Sequence, residues 1–194
     1  MRYPAEHKQQ TRERIVRAAS RRFRARGSEG AVIGDLMRDL RLTHGGFYRH
    51  FASKDDLFVS AFEQALADAS ARGRNAIRQA APGKELEAII DSYLNVEHCD
   101  NVADGCPVAA LAVEIPRMPR KTRESMLRAL RNHVTRLMPY VPGVDDDEKR
   151  RNTIALLSGM AGTLTIARAF SSEADRRRLL DGARAFYVKA LRGK

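Results

Sequence analysis

The chain has 194 residues, with 35 Lys and Arg against 24 Asp and Glu, a formal net charge of +11, and 43% hydrophobic residues. That apolar content suffices for a buried core, which excludes disorder as the main state. Aromatic residues at 6%, with no Trp, argue against an aromatic-rich sandwich or a carbohydrate-stacking surface, and two cysteines make no disulfide framework but read as reduced thiols of a cytoplasmic protein.

The excess charge is uneven. Residues 1–55 hold 13 Lys and Arg against 6 Asp and Glu, a net of +7, and residues 56–194 hold 22 against 18, a net of +4. A basic head on a nearly balanced body suggests a polyanion-binding segment, or else a solvated basic helix face. The first residues lack the apolar stretch of a signal peptide. The longest uncharged run, 152–167, is 16 residues and includes Asn, Ser, Thr and two Gly, so it suits a buried helix better than a membrane span.

The apolar periodicity is helical almost throughout. A first helix over 11–26 places Ile15, Ala19 and Phe23 on one stripe, with Gly27 to end it. A short second helix covers 34–40. Thr43 is a good N-cap for a third with a body over 44–51, and Ser53 caps a fourth that runs to about residue 72, with Asp55 and Asp56 in its first turn. Pro82-Gly83 breaks the chain. Further helices fit 84–98, 107–115, 121–138, 145–170 and 173–191. The expected architecture is all-α with about nine helices: a three-helix helix-turn-helix head over 1–55, then a helical body over 56–194, joined by helix 53–72.

Three short helices in about fifty residues, the second and third joined by a tight turn, form a helix-turn-helix. The start of a recognition helix must be small or polar for the backbone to approach DNA, and apolar residues must lie behind it. Thr43-His44-Gly45-Gly46 meets the first demand; Leu42, Phe47 and Phe51 meet the second. The run from Val32 to Met37, and above all Leu42-Thr43-His44-Gly45-Gly46-Phe47-Tyr48-Arg49-His50-Phe51-Ala52-Ser53-Lys54-Asp55-Asp56-Leu57, resembles the signature of the TetR/AcrR family of bacterial one-component regulators. The match covers about residues 11–66. Two features depart from it: Arg41 stands where the family usually has Gly in the turn, and Met37 and Leu40 replace Ala, which predicts bulkier packing of the two helices.

The resemblance implies that Tyr48, His50 and Lys54 contact phosphates. The chemistry agrees, since a phenol and an imidazole donate to phosphate oxygens and Lys54 opens a helix whose N–H groups attract anions. Thr43 either holds phosphate or caps the helix. His44 is the best reader of a base edge, and Gly45 and Gly46 let the backbone close in beside a thymine methyl. Arg49 suits a phosphate or a guanine, and Arg12 and Arg14 the flanking backbone. His50 and Tyr48 have bland alternatives, packing beside Phe51 and sitting half in the core.

In the second body, Ile154, Leu157, Ala161, Leu164 and Arg168, with Gly159 and Gly162, combine with the last helix into what resembles the family's four-helix dimer interface, unless they form an ordinary hairpin. A small-molecule pocket is expected among the middle helices, with Phe62, Leu66, Tyr93, Met126, His133, Met138 and Met160 as candidate lining, each equally at home in plain core. Cys106 precedes Pro107, where a helix start favours thiolate, and is a candidate redox or electrophile sensor or an inert buried thiol. No metal site is expected, since the Cys99 and Cys106 spacing is a poor match to zinc. No catalytic constellation, metal-dependent or nucleophilic, is recognisable, so no enzyme and no cofactor are expected. A ligand-responsive dimeric repressor that binds a double-stranded DNA operator, resides in the cytoplasm and touches no membrane is the leading reading. A helical enzyme and a non-specific nucleic-acid-binding structural protein are its rivals.

Overall fold

The structure is a computed structural model and describes residues 5–192. Among them are ten α-helices, two short 3-10 turns and no strand, and no helix is long and apolar enough to cross a membrane. α1 (Ala5–Gly30) buries Ile15, Ala19 and Phe23, as the periodicity predicts. Gly27 breaks it with φ 70° and ψ 176°. The Glu114 carboxylate then accepts from the Ser28 N–H at 3.0 and 3.2 Å, and a Cβ on Gly27 would stand 2.9 Å from that carboxylate. Both the backbone angle and the close approach therefore require glycine.

α2 (Ile33–Asp39) ends in a turn of defined chemistry. Leu42 N–H donates to the Met37 carbonyl at 2.8 Å and Arg41 N–H to that of Arg38 at 2.9 Å, the paired bonds of a Schellman motif. The residue that must be left-handed is Arg41, with φ 57°. α3 (His44–Phe47) is a single turn, shorter than the body expected over 44–51. The chain tightens after it, with Arg49 and His50 N–H groups reaching back only three residues, to Gly46 and Phe47. Thr43 and Ser53 cap as expected, accepting from Gly46 N–H at 3.2 Å and Asp56 N–H at 3.1 Å.

α4 (Lys54–Gln79) runs seven residues past the expected end and is the spine of the molecule. Its start packs on α1: Phe23 and Phe58 meet edge to face at 4.7 Å, and Ser20 Oγ donates to the Ala61 carbonyl at 2.9 Å. The first apolar core is continuous across residue 55, joining Ile15, Phe23, Met37, Phe47 and Phe51 to Leu57, Phe58, Phe62, Leu111 and Met126.

The helix expected over 84–98 is two. α5 (Glu85–Tyr93) stops at Leu94, and α6 (Val96–Asp100) restarts because Asn95 Oδ1 accepts from His98 N–H at 2.8 Å. The segment expected over 107–115 is α7 (Pro107–Leu111) plus a 3-10 turn at Ile115–Arg117. α8 (Arg120–Leu137) likewise closes in a 3-10 turn, Met138–Tyr140, around Pro139. α9 (Asp146–Ala167), capped by Asp145, and α10 (Glu173–Arg192) complete a second core with α5 and α6.

Arg41 in the left-handed region costs about 1 kcal/mol that glycine would not. Arg41→Gly is therefore expected to raise unfolding stability by about 0.5–1 kcal/mol in urea titrations; an unchanged or lower midpoint would contradict that cost.

Candidate functional site

The head presents its exposed polar residues on one rim. His44, Gly45, Tyr48 and Arg49 are all solvent-exposed, while Phe47 and Phe51 are buried behind them with rings stacked at 5.6 Å. The two glycines differ. A Cβ on Gly45 would meet nothing, whereas one on Gly46 would stand 3.3 Å from Thr43 Oγ1 and 3.8 Å from Met37 Cε. Gly45 thus leaves the outer surface flat and Gly46 serves internal packing. Tyr48 is 66% exposed, lying on the edge of Phe47, so it is not half core. His50 is half-buried beside Phe51, with Nδ1 buried and unpaired among the described residues. Burial, then the charges of Lys8, Arg12 and Arg49, hold its pKa below the usual imidazole value. Lys54 opens α4 directly after the Ser53 cap.

Gly46, Arg49 and His50 border an open groove of about 580 Å³ between α1 and the helix-turn-helix, whose rim also includes Lys8, Thr11, Arg41 and Thr43, while His44, Gly45, Tyr48 and Lys54 lie outside its lining. Lys8, Thr11 and Arg41 escaped the reading of the sequence. The signal for the first two was the extension of α1 back to Ala5, which brings a further turn over the groove. Arg12 and Arg14, expected at the DNA backbone, are tied within the head. The Arg12 guanidinium lies 4.8 Å over the Phe51 ring and donates to Ser60 Oγ at 3.1 Å, and Arg14 donates to the Leu40 carbonyl at 3.4 Å.

A second concavity lies in the body. It is a small chamber of about 50 Å³ lined by Leu66, Tyr93, His98, Cys106, His133 and Met160 among others. Four expected lining residues are there: Leu66, Tyr93, His133 and Met160. Three are not. Phe62, one turn before Leu66, and Met126, two turns before His133, are sealed in the first core on the same helix faces, and Met138 packs in the second. Ser70 Oγ–H donates to the Leu66 carbonyl at 2.8 Å, so its oxygen accepts from His133 Nδ1–H at 3.0 Å, leaving Nε2 unprotonated. His98 Nδ1–H donates to the Tyr93 carbonyl at 2.7 Å, and its Nε2 is buried and unpaired. Burial drives the pKa of both rings down to about 4, assisted by Arg72 and Arg168 at His98 and by Arg136 at His133. Cys106 is buried at the start of α7, facing Tyr93, and burial pushes the Cys99 thiol up.

Residues 15–61 match the family described as bacterial regulatory proteins, tetR family. An uncharacterized HTH-type transcriptional regulator of Mycobacterium tuberculosis is 31% identical over 105 residues, 53% of this chain and 52% of that one. YfiR of Bacillus subtilis, another uncharacterized HTH-type regulator, is 29% identical over 101 residues, 51% and 47% of the two chains. The chain spans about half the length of the curated relatives it matches. Residues 15–61 are those of a tetR-family helix-turn-helix. The TetR fold extends over the whole chain: a TetR regulator from Chloroflexus aurantiacus superposes with a TM-score of 0.71 at 24% identity, covering 95% of this chain and 97% of its own. Reduced NemR from E. coli does so at 0.75 and 18%, covering 92% and 95%.

Within this chain, polar contacts join head and chamber. Arg24 is buried in α1 and donates to the Gly105 carbonyl at 3.2 Å, and Arg21 reaches both oxygens of Asp104 at 2.6 Å. Arg168, expected on the interface stripe, instead donates to the carbonyls of Cys99 at 3.0 Å and His98 at 3.4 Å. Leu157, Ala161 and Leu164 of that stripe are buried in their own core. A Cβ on Gly159 would collide with the Tyr187 hydroxyl, so that glycine serves α9–α10 packing, while Gly162 faces open space.

In the unfolded chain His98 and His133 take up protons near pH 6.5, in the folded chain only near 4. The unfolded state binds more protons in between, so stability falls as pH drops through that window. Urea midpoints are expected to decline from pH 6.5 to 4, less steeply in His133→Gln by about one proton's worth of slope; an identical slope would contradict the buried neutral ring.

Proposed function

We propose that the chain is a dimeric repressor released from a palindromic operator by a small-molecule inducer. The observation that carries the reading is the exposed His44 and Tyr48 of the helix-turn-helix together with a groove bounded by Lys8, Arg41, Arg49 and His50, beside a helix that opens on Lys54 and reaches the chamber. Residues 1–55 act as the DNA-binding head and 56–194 as the ligand-binding and dimerisation body, in the cytoplasm and without catalysis. Lys54, Tyr48 and His50 hold phosphates, His44 reads a base edge, Gly45 gives close approach, and Thr43, Gly46 and Arg49 shape the contact.

Dimerisation is supported by what the single chain leaves uncovered. Ile154, Gly162, Ile166 and Phe170 of the α9 region and Ala185 and Phe186 of α10 form an exposed, mostly apolar strip, Phe186 at 65% exposure. A two-fold pairing covers it and supplies the symmetry of a palindrome. For ligand response, the support is the chamber, together with the neighbouring fold of FadR from Bacillus subtilis, whose crystal structure is a complex with stearoyl-CoA (TM-score 0.68, 18% identity, covering 91% of this chain and 97% of that one). α4 links the sites, since Leu66 lines the chamber and Lys54 begins the same helix.

Lys54→Ala is expected to weaken binding to every duplex alike and to lower the slope of log K against log salt by about 1, as for one lost phosphate contact. His44→Ala is instead expected to relax base preference at one position of each half-site. Fluorescence anisotropy on an operator selected from random duplexes, across a salt series, checks both; an unchanged salt slope in Lys54→Ala would refute the phosphate contact. Phe186→Glu is expected to turn the dimer into monomers in analytical ultracentrifugation, and a persistent dimer would remove the α9–α10 strip as the interface.

A further inference from the structure

Two orphaned polar atoms share the chamber. The Tyr93 hydroxyl, beside only the weak Cys106 thiol, and His98 Nε2, with no hydrogen-bond partner among the described residues, are both buried, and both residues line the same cavity. A buried polar group without a partner costs about 1–3 kcal/mol, so two at one apolar site call for a guest that satisfies them. Their capacities are complementary. His98 spends its Nδ1–H on the Tyr93 carbonyl, so Nε2 only accepts. The Tyr93 hydroxyl can donate. The two rings meet edge to face at 4.7 Å.

Leu66, Leu137, Leu157 and Met160 supply the rest of the wall, so the guest's body is apolar. We infer that the chamber takes a small hydroxylated aromatic molecule, of the phenol class, whose O–H donates to His98 Nε2 while its oxygen accepts from Tyr93 O–H. This rests on the proposal that the chamber is the inducer site, and it names the class of inducer. A carboxylate offers no proton to Nε2, and a plain hydrocarbon leaves both polar atoms unpaired. Arg72 at the chamber and Arg168 nearby disfavour an ammonium group.

At about 50 Å³ the chamber as it stands has room for a few waters, not a ring. Met160, unbranched and adaptable, is the wall residue that yields most cheaply, and Gly73 leaves its part of the wall open. Widening there presses on Cys106 and Pro107, next to the Gly105 carbonyl that holds Arg24 of the head. Filling the chamber therefore strains the contact that seats α1.

The test is isothermal titration of the full chain with phenol, toluene and benzoate at neutral pH. Phenol is expected to bind about tenfold or more tightly than either of the others, the worth of one well-made buried hydrogen bond. Tyr93→Phe, which removes only an unpaired hydroxyl and should fold normally, is expected to abolish most of that preference while leaving toluene unchanged. His98→Phe should do likewise. In the unsubstituted protein, the nitrogen resonance of His98 Nε2 is expected to shift with phenol and not with toluene, a readout that needs no variant. Toluene or benzoate binding as tightly as phenol, or a phenol preference intact in Tyr93→Phe, would overturn hydroxyl recognition and leave the chamber standing as an inducer site. No binding by any of the three would overturn the chamber reading as well.

Discussion

The packing of α1 on α4 is the constraint from which the rest follows. Phe23 against Phe58 and the Ser20 hydroxyl on the Ala61 carbonyl fix the first helix of the head to the helix that runs through the body. Burial of these large side chains is worth about 1.5–3 kcal/mol each, far more than any surface ion pair on the head. Because the same core takes in Phe47 and Phe51 behind the rim, the orientation of His44, Tyr48 and Arg49 is set by contacts that reach Leu111 and Met126. A turn of only four helical residues has little stability of its own and needs such backing.

The second consequence is directional. Arg24 carries a buried guanidinium whose Nε has no partner among the described residues and whose Nη1 holds a single carbonyl, and burial holds its pKa down despite Asp104 and Asp68. Such a group is retained more readily for positional specificity than for net stability. It ties α1 to the segment between His98 and Cys106, and Arg168 ties the other end of that segment to α9. Two routes therefore run from chamber to head, one along α4 and one through this clamped loop. The second has discrete polar contacts that make or break, as a switch requires.

Much of this was legible in the sequence. Thr43 and Ser53 announce helix starts through short side chains that accept from their own backbone, and the structure uses both. Phe47 and Phe51 read as core from their spacing, and the strain at Arg41 followed from a turn that lacks glycine. What escaped were features fixed by tertiary contact. Asn95 splits a continuous apolar pattern because its amide caps a new helix, and periodicity does not register that choice. Phe62, Met126 and Met138 share the composition of a pocket wall, and the first two even share helix faces with Leu66 and His133, but how far along each helix the cavity reaches is set by tertiary packing. Arg168 read as part of the interface stripe and the role of Arg24 went unread, since nothing local marks an arginine whose partner is a carbonyl some seventy to eighty residues away in sequence.

The most direct test of coupling between head and chamber needs no inducer. Linkage requires that whatever the chamber does to operator affinity, operator does to the chamber. Amide hydrogen exchange on the full chain, with and without a saturating operator selected from random duplexes, reads this residue by residue. Altered protection is expected at 41–54, the proposed DNA face, and also at 98–107, beside the chamber. Changes confined to the head, with 98–107 exchanging identically in both states, would contradict the coupling.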